Sequence, residues 1–356
     1  MPGEFERHDG TWIIWPESGN NWREGARPAQ RAFVQVATVI AASEEVTVGV
    51  SERQWSNARG ALPEEVRLVE LATNQSWVRD NGPTFVIDAD GRRRGVDWRF
   101  NGYGLSQPHL YYSAAHDDAV ARKILEHERA DRYRAPIVLE GGSIHVDGEG
   151  TLIATEECLL NPNRNGDLTR REIEEALRAY TASEVVIWLD RGAVDDVTSG
   201  HVDNLCCFAR PGVVLLAWTD DRSDPMHGVC LDARRRLEAA TDARGRSLDV
   251  LLLPLPSAQY RTAEEAAGLD RVLDDSHWPA AGDHLTASYV NFYIANDRIV
   301  VPLLDPHTDE AALAIVADAF PERAIVGVAS HEILLGGGNI HCITQQVPAP
   351  GPTRVA

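Results

Sequence analysis

One arrangement of turns and apolar runs recurs along the chain and constrains its fold more than any other feature. PTFVIDADGRRRGVDW from Pro83, SIHVDGEGTLIAT from Ser143, HVDNLCCFARPGVVLLAW from His201 and SYVNFYIANDRIVVPLL from Ser288 each set DADG, DGEG, RPG or ANDR between two apolar runs. Turn chemistry in that position predicts a β-hairpin, so four hairpins are expected. A fifth segment, GNIHCITQ from Gly338, starts a strand that WIIWPE at Trp12 can complete by joining the two chain ends. Amphipathic stretches such as PAQRAFVQVATVIAAS, TRREIEEALRAY and DEAALAIVADAF lie between, most followed by a short apolar strand such as EVVIWL or RAIVGV. The hairpin, helix and strand therefore repeat at an uneven period of roughly 70 residues, a length at which repeat architecture is expected. The letters repeat too, since LEGGSIHV at 139–146 matches LGGGNIHC at 335–342 in Leu, two Gly, Ile and His. The expectation is an α/β fold of five ββαβ-type units closing into a ring. It forms a single domain, 1–356, with an ordered core at about 10–348 and a flexible tail at 349–356.

Charge and composition remove several classes of function. A net charge of −20 over 356 residues repels phosphate, which excludes nucleic acid and anionic membrane surfaces as partners and favours a small cation. Lys123 is the only lysine, so Schiff-base chemistry and a P-loop both lack their residue. MPGEFERHDG has no basic start followed by an apolar run, and the expected location is cytoplasmic. Five cysteines without a CxxC pair predict neither a disulfide framework nor a zinc–cysteine site. Cys158, Cys206, Cys207 and Cys230 read as buried structural thiols, and Cys342 alone has unusual neighbours.

Successive side chains on a strand point to opposite faces, so His341 and Cys342 are not expected to share a pocket. His145 matches His341 in the repeat without a cysteine beside it, which makes both histidines structural elements of the unit. His201 and Asp203, two apart, share a strand face. Asp80 in WVRDNGP and Glu140 in LEGGS precede two further hairpins, and singly each reads as a turn or capping group. Together these residues lead into successive units, where three carboxylates around one thiol suit a cation. A guanidinium, planar and always charged, matches paired carboxylates in charge and in geometry.

WPESGNNWREGARPAQ, WVRDNGPTFV, DWRFNGYG, LEGGSIHVDGEGTLIATEECLLNPNRN, GHVDNLCCFARPGVVLLAWTDD, SYVNFYIANDRIVVP and LLGGGNIHCITQQ together resemble the agmatine deiminases, within the guanidine-modifying group that includes bacterial peptidylarginine deiminases. The resemblance spans about residues 12–348. It implies a five-bladed α/β propeller (pentein fold) with pseudo-fivefold symmetry, and hydrolysis of agmatine to N-carbamoylputrescine and ammonia with no metal or organic cofactor. It leaves a homodimer open. Carried over residue by residue, it makes Cys342 the nucleophile and His201 the acid/base, with Asp80 and Asp203 holding the guanidinium and Glu140 beside the histidine. Trp77 then lines the substrate channel, and Gly338 and Asn339 flank the nucleophile as substrate-binding positions.

RDNGP and AVDDVTSGH depart from the family's usual RDTGP and DTNGH. Asp195 and Asp196 in the second stretch suit the amine tail of agmatine, or equally a solvated acidic loop. Three rival readings accompany this one: a metal-dependent hydrolase using His145–Asp147 and His201–Asp203, a non-catalytic guanidine binder, and a deiminase of free or peptidyl arginine.

Overall fold

The computed structural model describes residues 1–105, 114–270 and 278–351. Five sheets repeat one strand order: an antiparallel hairpin, then a helix, then a strand parallel to the hairpin's second arm. In the second sheet Thr84–Ile87 pairs antiparallel with Arg93–Arg99, which pairs parallel with Asp131–Val138 after the helix Val120–His127. The third uses Ile144–Val146, Thr151–Thr155 and Val185–Leu189 around the helix Arg170–Thr181. The fourth uses Cys206–Arg210, Val213–Trp218 and Asp249–Pro254 around Pro225–Ala239. The fifth uses Tyr293–Ile294, Arg298–Leu303 and Ala324–Ala329 around Asp309–Ala319.

The first sheet takes its strands from both ends of the chain. Gln345–Pro348 pairs antiparallel with His8–Ile14, which pairs parallel with Glu45–Val50 after the helix Arg27–Ala41, and Arg67–Glu70 adds a fourth strand. The expected closure through WIIWPE is therefore present.

Local sequence explains these units. Asp88 Oδ1 accepts from the backbone N–H groups of Asp90 and Arg92 in DADG, and Asp147 Oδ1 accepts from those of Glu149 and Thr151 in DGEG, so each aspartate builds its own turn. Phe33, Val36, Ala37 and Ile40 recur at helical spacing and are buried against the first sheet, each larger side chain contributing about 1.5–3 kcal/mol. A capping box between Thr169 and Glu172 fixes the start of Arg170–Thr181.

Two expectations fail at the segments leading into the sheets. Residues 338–344 are turn backbone and the last strand begins at Gln345, while Val202–Asn204 is a 3₁₀ turn and its strand begins at Cys206. Strand alternation governs neither His341–Cys342 nor His201–Asp203. Both described chain ends hydrogen-bond to the rest of the fold. The Met1 amine donates to the Thr181 carbonyl, Ala349 N to Arg7 O and Gly351 N to Gly91 O. The remainder of the expected tail, 352–356, lies outside the described residues. Among those residues no helix is long and apolar enough to cross a membrane.

Candidate active site

Each sheet's first strand is preceded by a short tight segment, and these segments meet. Val78–Asn81 is a single helical turn carrying Asp80, and Glu140 leads into the 3₁₀ turn Gly141–Ser143. His201 and Asp203 lie at the turn before Cys206, Asn291 two residues before Tyr293, and Cys342 three before Gln345. The side chains of Asp80, Glu140, His201, Asp203, Asn291 and Cys342 are all buried.

Cys342 Sγ lies 3.6 Å from Asp203 Oδ2 and receives a hydrogen bond of 3.2 Å from Asn291 Nδ2. Burial pushes its pKa well above the ordinary thiol value, and the charges of Asp203 and Asp80 add to that. The resting group is therefore a thiol. His201 sits between two carboxylates, Nδ1 at 3.7 Å from Asp80 Oδ1 and Nε2 at 3.7 Å from Glu140 Oε2. Burial opposes its charge, but Asp80, Cys158 and Glu140 outweigh that and raise its pKa well above the usual histidine value. Asp80 accepts from Tyr103 Oη at 2.8 Å and from Gly142 N at 3.0 Å. Its pKa is pushed up to about 6 by burial, with His201 opposing and Asp203 adding. Glu140 Oε1 accepts from Arg164 Nε at 2.7 Å, and that guanidinium with His201 keeps its pKa below the usual value despite burial.

Four buried polar atoms of this cluster have no hydrogen-bond partner: His201 Nδ1, His201 Nε2, Glu140 Oε2 and Asp203 Oδ1. Unsatisfied buried polar groups cost about 1–3 kcal/mol each, so this arrangement is built to receive a polar ligand. Gly142 faces the same space. A Cβ on it would fall 2.8 Å from each of Asp203 Oδ2, Asp80 Oδ1 and His201 Nδ1. Gly142→Ala should lower kcat/KM by about 100-fold and cost about 1–3 kcal/mol of stability, because a methyl there pushes all three buried groups out of place. Steady-state kinetics beside a thermal melt checks this.

Trp77 and Gly338 form one wall, since a Cβ on Gly338 would lie 2.9 Å from Trp77 Cζ3 and 3.1 Å from Cys342 Sγ. Trp77 also packs against Trp22 with ring centroids 5.1 Å apart. Asn339 Oδ1 accepts from Ile340 N, leaving Nδ2 buried without a partner. Both oxygens of Asp196 are engaged by its own loop, Oδ1 by Thr198 and Oδ2 by the backbone N–H of His201, so this carboxylate shapes the segment that presents the histidine. Asp195 pairs with His284 at 3.2 Å and borders a cleft of about 570 Å³ whose lining includes Asn204 and Met226.

The histidine beside the cysteine is not idle filling. His341 Nδ1 contacts Asp203 Oδ2 at 2.8 Å, so His341 and Cys342 meet the same carboxylate, which turn backbone allows and a strand would not. Its repeat partner His145 stacks on it with centroids 6.2 Å apart and accepts a hydrogen bond from Phe208 N, a packing role. Cys158 is likewise more than a core thiol. Potential ligand atoms of Glu140, Cys158 and His201 lie within 4.8 Å of one another, as do those of Glu4, His145 and His341. Each group already has a guanidinium on its carboxylate, Arg164 and Arg79 respectively, which competes with a metal ion for the charge. In the rival metal reading, Asp147 of the pair His145–Asp147 instead closes its own turn. Reading the sequence missed Asn291 and Tyr103. Asn291 carried a signal, its place ahead of the fifth hairpin, and Tyr103 lay within DWRFNGYG.

The chain is similar to known proteins over nearly its whole length. A model of the Porphyromonas-type peptidyl-arginine deiminase family matches residues 1–348. The agmatine deiminase of Pseudomonas aeruginosa strain LESB58 is 54% identical over 352 residues, covering 98% of this chain and 95% of that protein. A putative agmatine deiminase of Latilactobacillus sakei is 52% identical over 350 residues, with 98% and 96% covered. The solved structure of the Enterococcus faecalis agmatine deiminase superposes with a TM-score of 0.93 at 44% identity, covering 98% of this chain and 95% of that one. With a single match from the first residue to the last strand, and a cysteine, a histidine and carboxylates gathered from successive repeats, the chain belongs to the Porphyromonas-type peptidyl-arginine deiminase family.

Proposed function

We propose that the chain is a hydrolase that converts agmatine and water to N-carbamoylputrescine and ammonia through a covalent intermediate on Cys342. The observation that carries this is the convergence of one thiol, one imidazolium and three carboxylates around unsatisfied polar atoms. That set holds a planar cation and attacks its carbon. High identity over whole length to curated agmatine deiminases supports agmatine as the substrate. The five sheets of equal strand order, whose leading segments converge here, support a five-bladed ring around the site and one catalytic unit spanning the chain.

Asp80 and Asp203 take the guanidinium between them and turn its carbon toward Cys342. Binding sets a positive charge against the Asp203 and Asp80 charges that add to burial in keeping the thiol protonated, and its proton leaves to solvent. The thiolate attacks, His201 gives its proton to the departing nitrogen, and ammonia leaves a thiouronium on Cys342. Neutral His201 then draws a proton from water as water adds to the same carbon. The C–S bond breaks and a urea-type product departs. Of the two protons that water loses, one recharges His201 and the other restores the thiol. Acid–base assistance of this kind contributes about 10² to 10⁴ in rate. Asn291 holds the sulfur at the carbon, and Glu140, fixed by Arg164, orients the imidazole.

Ammonia release from agmatine, free arginine and a blocked arginine peptide, measured side by side, tests the substrate. Agmatine should be preferred by at least about 100-fold in kcat/KM, since a carboxylate on the substrate tail meets a strongly acidic chain. Equal rates with arginine would replace this reading with an arginine deiminase.

A further inference from the structure

A glutamate at the very start of the chain reaches the reaction centre. Glu4 is buried, its Oε1 accepts from Ile294 N at 3.0 Å, and its Oε2 lies 2.9 Å from His341 Nε2 and 3.3 Å from Arg79 Nη2. The other ring nitrogen of His341 lies 2.8 Å from Asp203 Oδ2, the oxygen nearest the Cys342 sulfur. An imidazole with a carboxylate oxygen on each nitrogen satisfies both only when both nitrogens carry protons. We infer that Glu4 is a positioning residue for the deiminase reaction: by holding His341 as an imidazolium, it fixes the aim of Asp203, so the N-terminal segment sets the pH range over which the guanidinium clamp stays in place. This rests on the clamp assigned to Asp203 under the proposed function.

The surrounding charges agree. Arg79, Glu4, Asp203 and the stacked His145 face His341, and His201, Asp80 and Cys342 also face Asp203. Burial and Arg79 disfavour the His341 charge, yet Glu4 and Asp203 outweigh them and its pKa is raised. Burial also opposes ionisation of Glu4, and Arg79 and His341 reverse that, leaving it ionised. Tyr293 and Cys207, which also feel Glu4, are kept protonated by burial. Without the Glu4 charge, Asp203 alone opposes burial and Arg79 at His341. The ring then loses a proton within the working range, and the bond by which it aims Asp203 loses its charge assistance and slackens.

The test is Glu4→Gln, which keeps the shape and removes the charge. Expected is a new fall in kcat/KM as pH rises through the ordinary histidine range, reaching roughly tenfold at about pH 8, carried mainly by KM, with rates near wild type at about pH 6. A purely structural role would lower activity evenly, so a pH profile parallel to wild type overturns the inference. Histidine ¹⁵N NMR of the wild-type chain at about pH 8 gives a second readout that needs neither the variant nor a substrate. The His341 ring should remain an imidazolium there, and a neutral His341 overturns the inference. If that ring stays charged while agmatine is not hydrolysed, the substrate reading fails and the Glu4–His341–Asp203 linkage stands.

Discussion

Replacing Cys342 by alanine should reduce ammonia release from agmatine by at least about 10⁴-fold while leaving the folded chain intact. The size follows from chemistry: Cys342 is the thiol that meets Asp203 and Asn291, so loss of this sulfur removes the covalent step. The fold should tolerate it because the buried group is a neutral thiol. Its deletion leaves no uncompensated charge and a cavity costing only about 1 kcal/mol. Asn291 would lose one hydrogen-bond partner but keeps Asn204 and the backbone N–H of His341. Kinetics and thermal melting of the same preparation separate the two effects. Appreciable turnover in a folded Cys342→Ala chain would rule out covalent catalysis at this position.

The second large effect is expected at Asp203. Asp203→Asn keeps the shape of the side chain and removes the charge, leaving a desolvated guanidinium partly unpaired. By comparison with other buried charge pairs the loss is about 2–5 kcal/mol, or about 30- to 4,000-fold in kcat/KM. His341 is raised partly by Asp203, so the substitution also loosens the ring that aims it. The partner carboxylate supplies a pH signature. Asp80, pushed up to about 6, must be ionised to hold a cation, so kcat/KM of the wild-type chain should fall as pH drops through about 6. A pH-independent profile down to about 5, or a near-normal rate in Asp203→Asn, would contradict the clamp.

How far the sequence carried depended on whether the interactions were local. Asp88 and Asp147 bind backbone groups two and four residues on, and such turns can be read from a tetrapeptide. Helical spacing in Phe33, Val36, Ala37 and Ile40 is local in the same way. The short turns before each sheet are different. GHVDN and GNIHC contain strand-like letters, but their backbones are bent by partners outside those letters: the His201 N–H by Asp196, five residues before it, and the His341 N–H by Asn291, fifty residues away in sequence. Alternation therefore gave His201 and Asp203 a shared face for the wrong reason, and denied one to His341 and Cys342.

Glu4 was out of reach altogether, since it meets His341 across 337 residues and carries no motif. Cys158 looked like core because it is core, and only the structure shows that its neighbour is His201. Asn291 was passed over because an amide is neither acid, base nor nucleophile. The structure gives it the task of holding sulfur.

The central claim is that agmatine is carried for part of each cycle on Cys342. Acid quenching of the wild-type and His201→Ala chains during turnover with ¹⁴C-guanidino-labelled agmatine, followed by peptide mapping, measures this directly. The label should reside on the peptide containing Cys342, heavier by agmatine less ammonia, and should accumulate when His201 is absent to activate water. Label on any other residue, or turnover with none on Cys342 in either chain, would contradict it.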